Sequence, residues 1–242
     1  MDKVTVIIPT YNRPQFFRES LESILSQTLK PWQLIVINNG PTPDIKEICN
    51  SYSNVEYYEI EARGKSYACN FGLQYTKGEY LWIFDDDDIA APEALEKFVE
   101  PLRNSEYDFS YSPFWKIKND IDHPLGLYRI PYFKENEFFS ALLKENFISG
   151  ASLFARTECY RQAGGFNPEL IRSQDYDLAI RIGRKFKGIK IDFPTYYHRE
   201  HHEPRGFGQH SFDGRDKNKK WLEYDQMIFR RLYQELDLYE YA

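Results

Sequence analysis

Three observations predict an α/β fold with a mixed, mainly parallel sheet flanked by helices. Short β-branched runs alternate with amphipathic stretches, one intensely apolar run ends in four consecutive aspartates, and the composition is 42% hydrophobic and 28% charged. A chain of 242 residues is long enough to bury a real core, and the expected organisation is one domain with a C-terminal appendage.

Val4 to Ile8 is a β-branched run closed by Pro9 and Thr10, which predicts a strand buried on both faces near the centre of a parallel sheet. After Tyr11-Asn12-Arg13, Pro14 opens a helix in which Phe17, Leu21, Ile24, Leu25 and Thr28 recur at helical spacing. Leu34 to Ile37 is a second buried strand, Asn38-Asn39-Gly40-Pro41 a turn, and Ile45 to Tyr52 a short helix. Val55 to Ile60 is the next strand, Ser66 to Tyr75 the next helix, and Tyr80 to Phe84 an apolar strand that runs into Asp85-Asp86-Asp87-Asp88. Downstream the pattern loosens. Asp108 to Ser112 reads as a strand, Asn119 to Pro131 as a loop, Glu135 to Lys144 as a helix and Ser152 to Ala155 as a strand re-entering the sheet. A helix from Thr157 to Ala163 stops at Gly164-Gly165, Asp175 to Phe186 is another, and Ile189 to Phe193 is the expected last strand before Pro194. Asp216 to Leu236 is helical and amphipathic, and Gly206-Phe207-Gly208 reads as a mobile loop.

Composition narrows the function. The formal charge of −6 discourages a nucleic-acid partner bound through its phosphates. No apolar run reaches the roughly 18 to 20 residues of a membrane span, and Met1 to Arg13 lacks the regions of a signal peptide, so a cytoplasmic location is expected. Cys49, Cys69 and Cys159 are odd in number and without CxxC spacing, which predicts packed, reduced thiols. Aromatic residues reach 17%, a supply that suits sugar-binding clefts and core packing equally.

The four aspartates carry the strongest chemical signal, because the carboxyl end of a buried strand is where open α/β sheets bind ligands. Adjacent ionised carboxylates ~5 Å apart at an effective dielectric of ~20 repel by about 3 kcal/mol, so the cluster calls for a cation or for hydroxyl donors. Mn²⁺ or Mg²⁺ takes carboxylate oxygens and keeps open positions for phosphates. The plain alternative is a solvated acidic turn capping the helix that follows Pro92. A second acidic site is Ser173-Gln174-Asp175-Tyr176-Asp177, where Ser173 and Asp175 also suit a helix start. The segment His198-Arg199-Glu200-His201-His202-Glu203 lacks the HExxH order of a zinc site.

An ordered set of motifs resembles a family-2 inverting glycosyltransferase of the GT-A (Rossmann-like) fold. These are Val6-Ile7-Ile8-Pro9-Thr10-Tyr11-Asn12-Arg13, Leu21-x-x-Ile24-Leu25-x-Gln27-Thr28, Gly64 with Ala68 and Asn70, Gly78-Glu79-Tyr80 and Asp85 to Asp88, and the resemblance covers Val4 to about His201. It implies a nucleotide diphosphate sugar donor and a carbohydrate or glycan acceptor, in surface polysaccharide or glycan synthesis. It implies that Pro9, Thr10, Tyr11, Arg13, Asn39, Asp85 and Asp86 bind the nucleotide, with Asp85 on the ribose; Arg63 and Lys65 flank Gly64, where they suit the nucleotide diphosphate and an exposed loop equally. Asp87 then holds the metal, His201 is a third metal or phosphate contact, and Asp88 supports the turn. Asp175 is the implied general base, which the chemistry needs because an attacking sugar hydroxyl must lose its proton. Gln174 stands where the family has glutamate, and Trp115, Gly150 and Gln174 lie where it builds the acceptor wall. Asn39 stands in a turn that is usually aspartate-rich; an amide both donates and accepts, which leaves the base preference open, with UDP the first expectation and dTDP and GDP behind it.

The expected layout is a catalytic domain over 1–205, with a nucleotide-binding half at about 1–105 and an acceptor half at about 106–205, followed by a flexible loop and helix over 206–242. Trp221, Tyr224, Ile228 and Leu232 share one face of that helix, which suits a membrane surface, a partner domain or a second copy, with packing back on its own domain favoured. Peripheral attachment at the inner membrane face belongs to the same reading. A metal-dependent nucleotidyltransferase and a silent nucleotide-sugar binding module are the rival functions. The first would show a glycine-rich basic loop after the first strand, and the second would lack Asp85, Asp87 or Asp175.

Overall fold

The computed structural model describes residues 2–40, 42–201 and 214–235. The first half alternates strand and helix as the hydrophobic pattern dictates: β1 (Val4–Thr10), α1 (Pro14–Leu25), β2 (Gln33–Asn38), α2 (Pro43–Asn50), β3 (Glu56–Glu59), α3 (Lys65–Tyr75) and β4 (Tyr80–Ile83). Then come β5 (Ile89–Ala90), α4 (Ala94–Val99), β6 (Phe109–Tyr111), β7 (Phe114–Ile117), β8 (Gly126–Tyr128), α5 (Phe138–Lys144) and β9 (Leu153–Arg156). The last elements are α6 (Thr157–Gln162), α7 (Gln174–Lys185), β10 (Gly188–Lys190), β11 (Tyr196–Arg199) and α8 (Gly214–Glu235).

The main sheet runs β10-β6-β9-β4-β1-β2-β3, with β9 antiparallel to both neighbours and the other pairings parallel. β1 is central, and its side chains alternate between two cores. Ile7 packs on one face with Ile35, Leu81 and Ala155, while Val6 and Ile8 pack on the other with Val36, Trp82 and Phe154. Burial on both faces is why this strand is β-branched throughout rather than alternating with polar residues. Trp82 is fully buried and its indole N–H donates to the Ala151 carbonyl at 2.8 Å, which ties β4 to the chain just before β9. On the same face of the sheet the end of α1 is locked by Gln27, whose amide donates to the Ala91 carbonyl at 2.7 Å and accepts from Leu95 N–H at 3.0 Å.

A second, four-stranded sheet, β5-β11-β7-β8, covers the end of the main sheet that carries the acidic turn. It departs from expectation in two places. Asn119 to Pro131 is not all loop, since it holds β8 paired antiparallel with β7, and β10 is not the last strand, since Tyr196–Arg199 follows it. Polar residues on that strand and a two-residue partner at Ile89–Ala90 left no periodicity to read. α6 ends as its sequence predicts: Gly165 adopts φ +69° and donates its N–H to the Tyr160 carbonyl at 2.9 Å, and a Cβ there would sit 2.6 Å from Asn70 Oδ1.

The described face of α8 packs on the body of the protein. Ile228 and Leu232 are buried in the same core as Leu170, Tyr176 and Ile180, and Phe229 meets Tyr176 edge-on with ring centroids 6.3 Å apart. The Trp221 side chain and Gly206-Phe207-Gly208 lie outside the described residues. Among the described residues no helix is long and apolar enough to cross a membrane, and all three cysteines are buried and unpaired.

Candidate active site

β4 delivers its aspartates to the carboxyl edge of the sheet, where Phe84 N–H bonds the Ile7 carbonyl at 2.9 Å and the chain turns. Asp86, Asp87 and Asp88 are buried, so each needs a partner, and Arg13 on one side and the segment from His198 to His201 on the other supply them. Asp85 meets Lys65 Nζ at 2.7 Å, at the start of α3. Asp86 pairs with Arg13 and accepts from Tyr11 N–H at 3.3 Å. Asp87 pairs with Arg13 and meets His201 Nε2 at 2.9 Å. Asp88 meets His198 Nδ1 at 3.2 Å and accepts from Arg199 N–H at 3.0 Å. Arg199 also donates to the Asp87 carbonyl at 3.1 Å, pairs with Glu19 of α1 and lies 4.9 Å above the Phe16 ring. Burial pushes the Asp86 carboxyl up to about 6 against the pull of Arg13, and it raises Asp88 against the pull of His198.

Asp175 arrives from the other side of the same cleft, in the first turn of α7. Its Oδ2 lies 3.1 Å from Lys65 Nζ, so one ammonium bridges the strand-end cluster and the helix-start carboxylate. Burial raises the Asp175 carboxyl, and Lys65 opposes that shift. For Lys65 burial works against the charge, but Asp175 and Asp85 outweigh it and hold the ammonium well above its ordinary value. Gly150 makes this approach possible: a Cβ there would lie 2.9 Å from both the Asp175 carboxyl and Lys65 Nζ. The cleft has a volume of 270 Å³, with the β1 end and the acidic turn on one wall and residues 168–175 on the other.

The profile of glycosyl transferase family 2 matches residues 5–162. The chain belongs to that family. An uncharacterized glycosyltransferase of Methanocaldococcus jannaschii is 31% identical over 193 residues, covering 75% of this chain and 65% of the relative. The chain spans between 17% and 65% of the length of the curated relatives it matches. S. aureus TarS 1-349 in complex with UDP-GlcNAc superposes with a TM-score of 0.69 at 18% identity, covering 84% of this chain and 60% of that one. A mannosyltransferase from Pyrobaculum calidifontis, in complex with GDP-Man and Mn²⁺, superposes at 0.67 and 18% identity, covering 97% and 65%. These likenesses establish the GT-A fold.

Within this family-2 fold the cleft gathers ten of the residues singled out from sequence: Pro9, Thr10, Tyr11, Arg13, Asn39, Lys65, Asp85, Asp87, Gln174 and Asp175. Four lie elsewhere. Asp86 is fully buried in the turn after β4, where it pairs with Arg13 and accepts from Tyr11 N–H, and it does not line the cleft. His201 stands behind Asp87 and packs on Phe16 with ring centroids 4.8 Å apart. Gly150 lies beneath Asp175, beside a small apolar space lined by Ile83, Ile148 and Leu153. Trp115 belongs to β7, where it pairs with Tyr197 and Leu127, and it does not line the cleft. Sequence reasoning missed His198 as the partner of Asp88, and it missed the wall from Pro168 to Ser173, which has no periodicity to mark it.

The donor set suits a divalent cation. One carboxylate oxygen each from Asp85, Asp87 and Asp88 lie within 4.8 Å of one another. Ligands on opposite sides of Mg²⁺ at 2.0–2.1 Å stand about 4 Å apart, and an all-oxygen set matches Mg²⁺ or Mn²⁺ rather than a thiophilic metal.

Proposed function

We propose that the chain is a metal-dependent inverting glycosyltransferase that moves one sugar from a nucleotide diphosphate sugar to a hydroxyl acceptor, in surface polysaccharide or glycan synthesis on the cytoplasmic side. One observation carries the reading: Asp175 faces the strand-end aspartates across a single lysine, on the two walls of one cleft. Asp85, Asp87 and Asp88 would hold Mn²⁺ or Mg²⁺, which when bound neutralises the leaving diphosphate. Pro9, Thr10, Tyr11 and Asn39 line the nucleotide end, and Arg13 holds Asp87 in place. Asp175 takes the proton from the attacking hydroxyl, on the side of the cleft opposite the departing diphosphate, so a single displacement inverts the anomeric carbon with no sugar–enzyme intermediate. Lys65 keeps that carboxylate ionised and ready to accept. Gln174 stands beside it as an acceptor contact.

A UDP-sugar is the favoured donor, although Asn39 at the base end offers an amide that can meet the N–H and carbonyl of more than one nucleobase. Of the two structural neighbours described above, S. aureus TarS is in complex with UDP-GlcNAc and the Pyrobaculum calidifontis mannosyltransferase with GDP-Man. The test is a thermal-shift panel of UDP-GlcNAc and GDP-mannose with and without Mn²⁺, followed by turnover of Asp175→Asn. Metal-dependent stabilisation that is larger with UDP-GlcNAc is expected. Asp175→Asn should bind donor normally and turn over at least about a hundredfold more slowly. Near wild-type turnover in that variant sinks the assignment of the base.

A further inference from the structure

The wall that carries Asp175 is held by an element 50 residues downstream. Ser173 is the residue that caps α7, yet it does not cap it in the usual way. A capping serine normally sits in extended backbone with its hydroxyl accepting an N–H from its own helix. Here Ser173 adopts φ +57°, a left-handed conformation that serine keeps only when its surroundings hold it there. Its carbonyl still accepts the Asp177 N–H at 3.0 Å, but its hydroxyl turns away and donates to Asp225 Oδ1 of α8 at 3.1 Å. Asp225, Ile228, Phe229 and Leu232 recur at i, i+3, i+4 and i+7, so one face of α8 lies along the segment from Leu170 to Tyr176. Asp225 itself lines no part of the cleft, and both α7 and α8 lie beyond the residues matched by the family profile.

We propose that Asp225 is a positioning residue: through the Ser173 hydroxyl, α8 fixes the left-handed turn that aims Asp175 at the acceptor side of the cleft. The proposal rests on Asp175 being the general base. The hydrophobic contacts dock the helix, and the Ser173–Asp225 hydrogen bond sets the direction of the turn, because a carboxylate at that point draws the hydroxyl out of its local capping bond. Removing the carboxylate lets Ser173 relax towards an ordinary cap, which rotates the first turn of α7 and with it Asp175.

The experiment uses the full chain and the variants Asp225→Ala, Asp225→Asn and Ser173→Ala. Hydrogen exchange of the amides at 172–176 is followed without ligand. UDP with Mn²⁺ is the probe for binding, and nucleotide release from UDP-GlcNAc is the probe for turnover. Asp225→Ala should exchange at least about tenfold faster at 172–176 while β1 and β4 stay protected. UDP affinity and the donor KM should stay within about twofold, and kcat should fall about tenfold. Asp225→Asn, whose amide oxygen still accepts from the hydroxyl, should recover most of both, and Ser173→Ala combined with Asp225→Ala should be no worse than either alone. Unchanged exchange at 172–176 overturns the proposal, as does faster exchange spread evenly over the chain, or local loosening with kcat intact. Wild-type turnover in Asp175→Asn would instead remove the base assignment, and the exchange result would still report on the strut.

Discussion

Replacing Lys65 by methionine keeps the length of the side chain and deletes the charge shared by Asp85 and Asp175. With Nζ at 2.7 and 3.1 Å from the two carboxylates, the gross attractions are about 6 and 5 kcal/mol at an effective dielectric of 20. Most of this offsets the cost of burying the lysine, and breaking a buried pair typically nets a loss of 3–5 kcal/mol. The three side chains keep between 22% and 25% exposure, which places the expected loss at the lower end, about 3 kcal/mol. Urea unfolding followed by tryptophan fluorescence measures it. The sign with pH follows from the raised folded-state value of Lys65: its contribution is fully present below about 10.5, the ordinary lysine value, and is lost as pH rises through the higher folded value. The gap between wild type and variant should therefore hold from neutral pH to about 10 and close above it. A Lys65→Met protein within about 1 kcal/mol of wild type at pH 8 would refute the bridging role.

Asp87→Ala should abolish Mn²⁺-dependent UDP binding in calorimetry while the protein stays folded; unchanged affinity would reduce the aspartates to a capped turn. Gly150→Ala should push Asp175 and Lys65 apart, since the added Cβ falls 2.9 Å from each, and slow nucleotide release at least about tenfold with UDP affinity little changed. A rate equal to wild type would mean that the backbone yields instead. Asp86, raised to about 6 from 3.8, binds its proton more tightly in the folded protein, so metal-free stability should fall by about 2–3 kcal/mol as pH rises from about 4 to 6. Asp86→Asn should flatten that slope in pH-dependent urea melts, and a slope unchanged in the variant would point to another group.

β1, β2, β4 and α1 were legible because two-sided burial and helical spacing write themselves into consecutive residues. Asp85, Asp87 and Asp175 were legible because acidic residues at a strand end and a helix start are costly and therefore informative. What brings them together was not. Lys65 and Asp175 are 110 residues apart, and nothing near either residue in the chain announces the other. Trp115 and Asp86 show the same limit from the other side: a residue type that suits a sugar or a nucleotide says nothing about which way its side chain points. The second sheet escaped notice because its pairs, such as Tyr197 with Ile89 and with Trp115, bring together short segments with no period of their own.

The antiparallel strand Leu153–Arg156 sits between β4 and β6 in the middle of the main sheet. The strands β1 to β4 can assemble from the first 83 residues, but the outer flank of Tyr80–Ile83 then has no neighbour until the chain has been made some 70 residues further. On the ribosome, at 5–20 residues per second, that delay lasts several seconds, with an apolar strand edge open to pairing with another nascent chain. A fragment that stops before Leu153 leaves the edge open permanently and should aggregate, whereas one that ends after Arg156 closes it. Synthesis thus closes the sheet from its interior outward, Leu153–Arg156 first and Gly188–Lys190 on the β6 edge afterwards, so nascent chains should be most prone to pair with one another between residues 83 and 153.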